Sequence, residues 1–208
     1  MKKIIFCIPG NNFSVNFLLK WTELSNWLLK NNISYLLSSN YVPIISASRD
    51  NVLGISEAQK TKLKKPFDNQ VDYTHIMWID SDMVFEPEHF KSLLDRDLPI
   101  VSGLYRWQQE GTYTAKINCC WANKETIEKA NGSVIKAKFA GMGWMLVKKE
   151  VYDKIEYPYH DVTLLDEEGY SRYVAEDEYF CYKAAEAGYD INIDTSVIVG
   201  HEKKQILY

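Results

Sequence analysis

No apolar run in the sequence is long enough to cross a bilayer. The first of them, Ile4-Ile5-Phe6-Cys7-Ile8, follows Met1-Lys2-Lys3 and stops at Pro9-Gly10, too short for a secretory h-region, so it reads as a first strand and a cytoplasmic protein is expected. Cysteine is sparse. The four, Cys7, Cys119, Cys120 and Cys181, contain no C-x-x-C pair, which argues against the usual zinc and dithiol motifs and leaves free buried thiols as the expectation. An excess of positive charge is also missing: 24 Lys and Arg against 28 Asp and Glu give a formal net charge of -4, so no nucleic acid partner working through a general basic field is expected. Neither G-x-G-x-x-G nor a P-loop follows the first strand, so the common cradles for dinucleotides and nucleoside triphosphates are excluded.

What is present is an ordinary globular composition, 46% apolar and 13% aromatic, enough for one domain with a sizeable core. Its most informative stretch is His75 to Glu86. Ile76, Met77, Trp78 and Ile79 are apolar in succession, the pattern of a strand buried on both faces, and Asp80-Ser81-Asp82 follows at its carboxyl end. In open α/β sheets that edge is where ligands bind. Two hard carboxylates one residue apart can share a divalent cation, which in turn can neutralise a diphosphate. The competing reading is a strand-to-helix turn, with an acid capping the helix that Pro87 begins.

The other segments fall around this strand. Pro9-Gly10-Asn11-Asn12 is a turn beside which a base or ribose could lie. Ser14 caps a predicted helix with Phe17, Trp21, Leu24 and Leu28 on its core face. A second strand covers 33–37, and Ser48 or Asp50 caps a helix predicted to run to about Lys64. That puts Arg49 and Asn51 at a helix N-terminus, suited either to a phosphate or to a capping network. After a short helix from Pro87 and a strand over 98–104, Arg106 and Trp107 emerge, able to pack on a sugar or to cover a sheet edge. An antiparallel excursion is predicted over 112–139. Gly141 and Gly143, before Trp144, mark backbone that must approach a ligand or a neighbouring strand closely. Residues 156–175 read as a long aromatic loop. The helix opening Glu176-Asp177-Glu178 turns Asp177 toward the core side with Phe180, Cys181 and Ala184, as a base or a cap. His201, after the last strand, is a good metal-ligand type.

Taken in order, Ile5–Pro9, Ser48-Arg49-Asp50-Asn51, Trp78-Ile79-Asp80-Ser81-Asp82, Gly141-Met142-Gly143-Trp144, Glu176-Asp177-Glu178-Tyr179-Phe180 and His201 resemble the pattern of nucleotide-sugar-dependent glycosyltransferases of the GT-A fold, the family 2-like group. The resemblance implies an α/β, Rossmann-like three-layer sandwich. Its central sheet would be mixed but mostly parallel, with a small antiparallel excursion, residues 1–104 forming a nucleotide-sugar-binding half and 105–208 an acceptor-binding half. It implies that Asp82, and Asp80 directly or through water or ribose, hold Mn²⁺ or Mg²⁺ against the diphosphate of a UDP- or GDP-sugar, with His201 as a further ligand. Pro9, Arg49, Asn51 and Ser81 would line the donor site, and Arg106, Trp107, Gly143 and Trp144 the substrate site. Asp177 matches the base of inverting members, with Glu176 as substitute. The acceptor, whether glycan, lipid-linked or protein, is left open. No acid follows strand two, where many relatives contact the base or ribose, and the Q-x-x-R-W signature of processive synthases is absent. A sugar nucleotidyltransferase and a non-catalytic carbohydrate-binding scaffold are the alternatives.

Overall fold

The computed structural model describes residues 2–55, 64–107, 111–118, 120–167 and 170–203. In chain order its elements are β1 (Lys3–Pro9), α1 (Val15–Lys30), β2 (Ser34–Asn40), α2 (Ile45–Val52), β3 (His75–Ile79), β4 (Met83–Val84), α3 (Pro87–Arg96), β5 (Ile100–Leu104), β6 (Thr112–Ile117) and β7 (Cys120–Asn123). There follow α4 (Lys124–Ala130), β8 (Val134–Ala137), β9 (Phe139–Ala140), β10 (Trp144–Lys148), α5 (Lys149–Lys154), β11 (Thr163–Glu167), β12 (Tyr170–Val174), α6 (Glu176–Glu186), β13 (Ile191–Ile198) and β14 (Gly200–His201).

Seven strands form the main sheet in the order β2-β1-β3-β10-β5-β13-β8. Strands β1, β2 and β3 are mutually parallel, β5 and β13 are parallel, and β10 runs against both β3 and β5, so five strands share one direction. All five residues of β3 are buried, as its unbroken apolar run requires in the middle of a sheet. The core is split by the sheet. Ile4, Phe6, Met77, Ile79 and Leu146 point to one side, against Phe17, Leu24 and Leu28 of α1 and Phe90, Leu93 and Leu94 of α3. Ile5, Cys7, Ile76, Trp78, Met145 and Val147 point to the other, with Val52 of α2, Val151 and Tyr152 of α5, and Phe180, Cys181 and Ala184 of α6. This alternation along each strand produces the three layers.

The helix ends have local causes. Ser14 caps α1, its hydroxyl accepting from the Phe17 amide at 3.0 Å. Glu86 and His89 form a reciprocal capping box around Pro87, the first residue of α3. The excursion is realised as a separate three-stranded sheet, β7-β6-β9, and holds a helix, α4, that the alternation of its neighbours did not reveal. Its cap is Asn123, whose side chain accepts from the Thr126 amide. The segment after α5 is more ordered than a loop: 163–167 and 170–174 pair as an antiparallel hairpin.

One helix differs in a way that matters for the site. α2 begins at Ile45, three residues before Ser48, and the turn at Leu53-Gly54 ends it, Gly54 having φ +68°. The predicted continuation to Lys64 passes through 56–63, outside the described residues. Ser48 caps nothing in its own helix; its hydroxyl accepts from the Val42 amide at 3.1 Å, tying down the preceding loop. Arg49 and Asn51 therefore sit in the second half of the helix, with no free amides of an N-terminus beside them.

Candidate active site

The turn after β3 is fastened on both sides. The Asp80 amide donates to the Gly143 carbonyl at 3.0 Å, and the Glu202 amide to the Asp82 carbonyl at 2.8 Å. Gly143 is glycine for want of space: a Cβ there would lie 2.8 Å from the Tyr105 hydroxyl and 2.9 Å from Asp80 Oδ2. Tyr105, at the end of β5, in turn accepts from the Gly143 amide at 3.0 Å and sets its ring edge-on to His201. Burial, with Asp80 and Asp177 nearby, raises the Tyr105 phenol far above its ordinary range, so it stays protonated.

β14 pairs with β4, aligning His201 with Met83 and bringing the imidazole to Asp82. His201 Nε2 lies 3.1 Å from Asp82 Oδ2, and Nδ1 lies 2.7 Å from the Arg106 carbonyl oxygen. A carbonyl only accepts, so Nδ1 donates to it, which fixes the ring with Nε2 as the atom facing Asp82. Lys203 Nζ also reaches Asp82 Oδ2, at 2.9 Å. Partial burial alone would raise the Asp82 pKa, but the bonds from His201 and Lys203 outweigh it and bring it to about 2.

Asp80 has a different partner. Arg49 is only 3% exposed and divides its guanidinium between Asp80 Oδ1, at 3.3 Å, and Glu176 Oε1, at 3.1 Å. Its carbon stands 5.4 Å from the centre of the Trp78 ring. Burial would loosen the Arg49 proton, but Asp80, Glu176 and Asp177 more than restore it. Asp80 itself is pushed up, burial outweighing the pull of Arg49. Asp177, next to Glu176, is raised to about 7, by burial first and the Glu176 charge second, against the lowering effect of Arg49. Its Oδ1 accepts from the Glu178 amide at 2.8 Å, so the carboxyl caps its own helix while titrating near neutrality. Glu178 turns away to Lys116 and Arg172.

From the sequence, Tyr105, Lys203 and His160 carry no site role, and Asp50 reads as a helix cap. Asp50, on α2 next to Arg49, accepts from Tyr157 at 2.9 Å and faces His160 Nδ1 at 3.3 Å; burial drives His160 toward its neutral form. Ser46, Asp50, Asn51, Tyr157, His160 and Asp161 line a cavity of about 420 Å³. Only the adjacency of Asp50 to Arg49 could have pointed there. Of the anticipated residues, Asp80, Asp82, His201, Glu176, Asp177 and Arg49 are tied into one cluster, with Pro9 and Ser81 beside it: Ser81 Oγ lies 2.5 Å from where a Gly10 Cβ would be. Asn51 faces the cavity instead. Trp144 is fully buried, its ring 4.6 Å from that of Phe85, and presents nothing to a ligand. Trp107 is 59% exposed.

Two carboxylates and an imidazole Nε2 are hard and borderline donors of a kind that can take a divalent cation such as Mn²⁺. Among the described residues, no three such side chains already stand close enough together to hold an ion. No protein-family model and no curated protein matches the sequence. Solved structures do resemble it. The catalytic domain of Drosophila β1,4-galactosyltransferase 7, in complex with xylobiose, superposes with a TM-score of 0.54 at 12% identity over 98% of this chain and 72% of that one. The fold is that of GT-A glycosyltransferases. GalNAc-T7, solved with UDP, GalNAc and Mn²⁺, gives a TM-score of 0.57 at 10% identity, over 98% of this chain and 43% of its own. A197 from STIV gives 0.57 at 15% identity and matches in length, 100% of this chain and 97% of that one. At these identities the likeness of this GT-A-like chain to its neighbours is one of fold. Among the described residues, no helix is long and apolar enough to cross a membrane.

Proposed function

We propose that this chain is a glycosyltransferase that moves a sugar from a nucleoside-diphosphate donor to an acceptor hydroxyl with inversion, residues 1–104 serving the donor and 105–208 the acceptor. The observation that carries the reading is the single cluster in which Asp82 with His201, Asp80 with Arg49, and Asp177 with Glu176 stand at the carboxyl edge of the sheet. The GT-A-like neighbours solved with Mn²⁺ and UDP or UDP-Gal support a donor of that class, a UDP-sugar first.

Asp82, ionised at any physiological pH, and His201 through its Nε2 would hold Mn²⁺ or Mg²⁺, with Asp80 the third candidate. When bound, the metal would stabilise charge developing on the leaving diphosphate. Arg49 keeps Asp80 and Glu176 apart in charge and fixed in orientation. Asp177 takes the acceptor proton: a carboxylate with a pKa about 7 is a far stronger base than a free aspartate yet still ionised in part at neutral pH. Tyr105 holds the Gly143 backbone against Asp80, which keeps the floor of the site rigid.

Titration of the purified protein with UDP-, GDP-, CMP- and TDP-sugars, with and without Mn²⁺, tests the donor half by thermal shift, since a ligand of the native state must raise its melting temperature. A metal-dependent rise with one nucleotide family, lost in Asp82→Ala, is expected. Failure of every donor to move the melting temperature of the folded protein would overturn the reading. Lys203 and Arg49 already place a cation on each aspartate of the pair, which favours one second reading, a donor site that works without metal; a shift equal with Mn²⁺ and with EDTA would select it.

A further inference from the structure

Two tryptophans stand exposed beside the cluster. Trp107 follows β5, and Trp121 lies on β7, 43% exposed; their ring centres are 6.3 Å apart and their planes differ by 34°. Neither is loose packing left over from the core. Trp121 is wedged edge-on against the buried Phe139 at 5.8 Å, and the Lys116 ammonium sits 5.0 Å from its ring centre. Large aromatics in water are costly unless something covers them, and rigid ones lose little entropy when covered.

The connections of this surface indicate its occupant. Lys116 runs from Trp121 to Glu178, 3.0 Å away and next to Asp177. The residue before Trp107, Arg106, gives its carbonyl to His201 Nδ1. The indoles are thus linked through Lys116 and Glu178 to the helix that carries Asp177, and through Arg106 to His201. A pyranose fits such a surface chemically: its axial C–H face is apolar and lies flat on an indole, while its equatorial hydroxyls stay free to hydrogen-bond with polar groups at the rim.

We propose that Trp107 and Trp121 form an acceptor platform for a glycan of at least two pyranose rings, one ring on each indole. The proposal rests on the transferase reading and narrows the acceptor to a carbohydrate chain. Its test is direct binding, read separately from transfer. Cellobiose, xylobiose, lactose and chitobiose, with their monosaccharides, are titrated into the protein by saturation-transfer NMR and tryptophan fluorescence, in the presence of UDP and Mn²⁺. At least one disaccharide should bind about tenfold or more tighter than its monosaccharide, a difference worth a second stacked ring. Trp107→Ala, at the more exposed position, should abolish that preference, Trp121→Ala should do the same, and Trp121→Phe should restore part of it, all with the melting temperature of Trp107→Ala unchanged. Equal binding by the variants, or no binding by any saccharide while UDP still binds, would refute the platform and leave the donor site standing. Failure of UDP, GDP, CMP and TDP alike to bind folded wild-type protein would refute the transferase reading beneath it.

Discussion

Replacing Arg49 by methionine keeps most of the side-chain volume over Trp78 and removes the cation shared by Asp80 and Glu176. Breaking a buried ion pair by removing one partner costs about 3–5 kcal/mol, because the remaining charge is left without compensation. Glu176 is 9% exposed and meets that condition; Asp80, with 28% of its side chain exposed, recovers part of its hydration, so the lower end, about 3 kcal/mol, is expected at pH 8. For a domain of this length that is a fall in melting temperature of roughly 6–12 °C. The deficit should depend on pH in a definite direction. Asp80 and Asp177 are already raised, and Arg49 is a group holding each of them down; without it they bind protons in the folded state that the unfolded chain has released. Where the native state binds more protons, stability falls as pH rises, so the loss should be full at pH 8 and much smaller at pH 5. Urea unfolding of wild type and Arg49→Met at both pH values, in EDTA, measures it. Adding Glu176→Gln to the variant should return part of the stability. A deficit under about 1 kcal/mol, or one equal at pH 5 and pH 8, would mean that Arg49 is not the counter-ion of this cluster.

Other tests bear on the proposed chemistry. Asp177→Asn should lower transfer about 10²–10⁴-fold with donor binding intact, and the wild-type rate should climb as pH rises through about 7, a limb the variant lacks; activity assays across pH with a donor titration decide it. The same substitution should remove a stability loss that wild type suffers as pH rises from about 4 to 7, because the raised carboxyl is protonated in the native state and ionised in the unfolded one. Lys203→Met should tighten Mn²⁺ binding several-fold by freeing Asp82 Oδ2 from a competing ammonium, as read by calorimetry, whereas His201→Ala should weaken it. Gly143→Ala should keep the fold by circular dichroism but cost most donor binding, since the new methyl would meet Asp80 Oδ2 at 2.9 Å.

The parts of the site that the sequence discloses are those where local chemistry conflicts with local structure. Two acids ending a fully apolar strand, and an acid turned inward at a helix start, are expensive unless something answers them, and both lie in the cluster. The failure at α2 has the same root seen from the other side. Ser48, Asp50 and Asn51 are cap-forming types, so they read as a helix start, yet Ser48 serves a loop, Asp50 serves His160, and Ile44 precedes the helix with no side-chain cap. Their partners come from 6 to 110 positions away, and no window on the sequence contains both ends. Helix α4 escaped because its seven residues are mostly polar and surround a single buried residue, Ile127. Trp144, expected on the substrate side, is buried, and of the two approaches the paired glycines beside it allow, the one the structure shows is that of Tyr105.

The two-residue pairing of β14 with β4 has a consequence for how the protein is made. Asp82 meets His201 across 119 positions, and the His201 ring is held by a carbonyl 95 positions before it. On a ribosome the turn bearing both aspartates leaves the exit tunnel well before the imidazole is synthesised, so the nascent domain can assemble β1, β2 and β3 while Asp82 still lacks that partner. Under the proposed metal reading, His201 joins Asp82 only after the segment around 200 has left the tunnel, so the site is completed last.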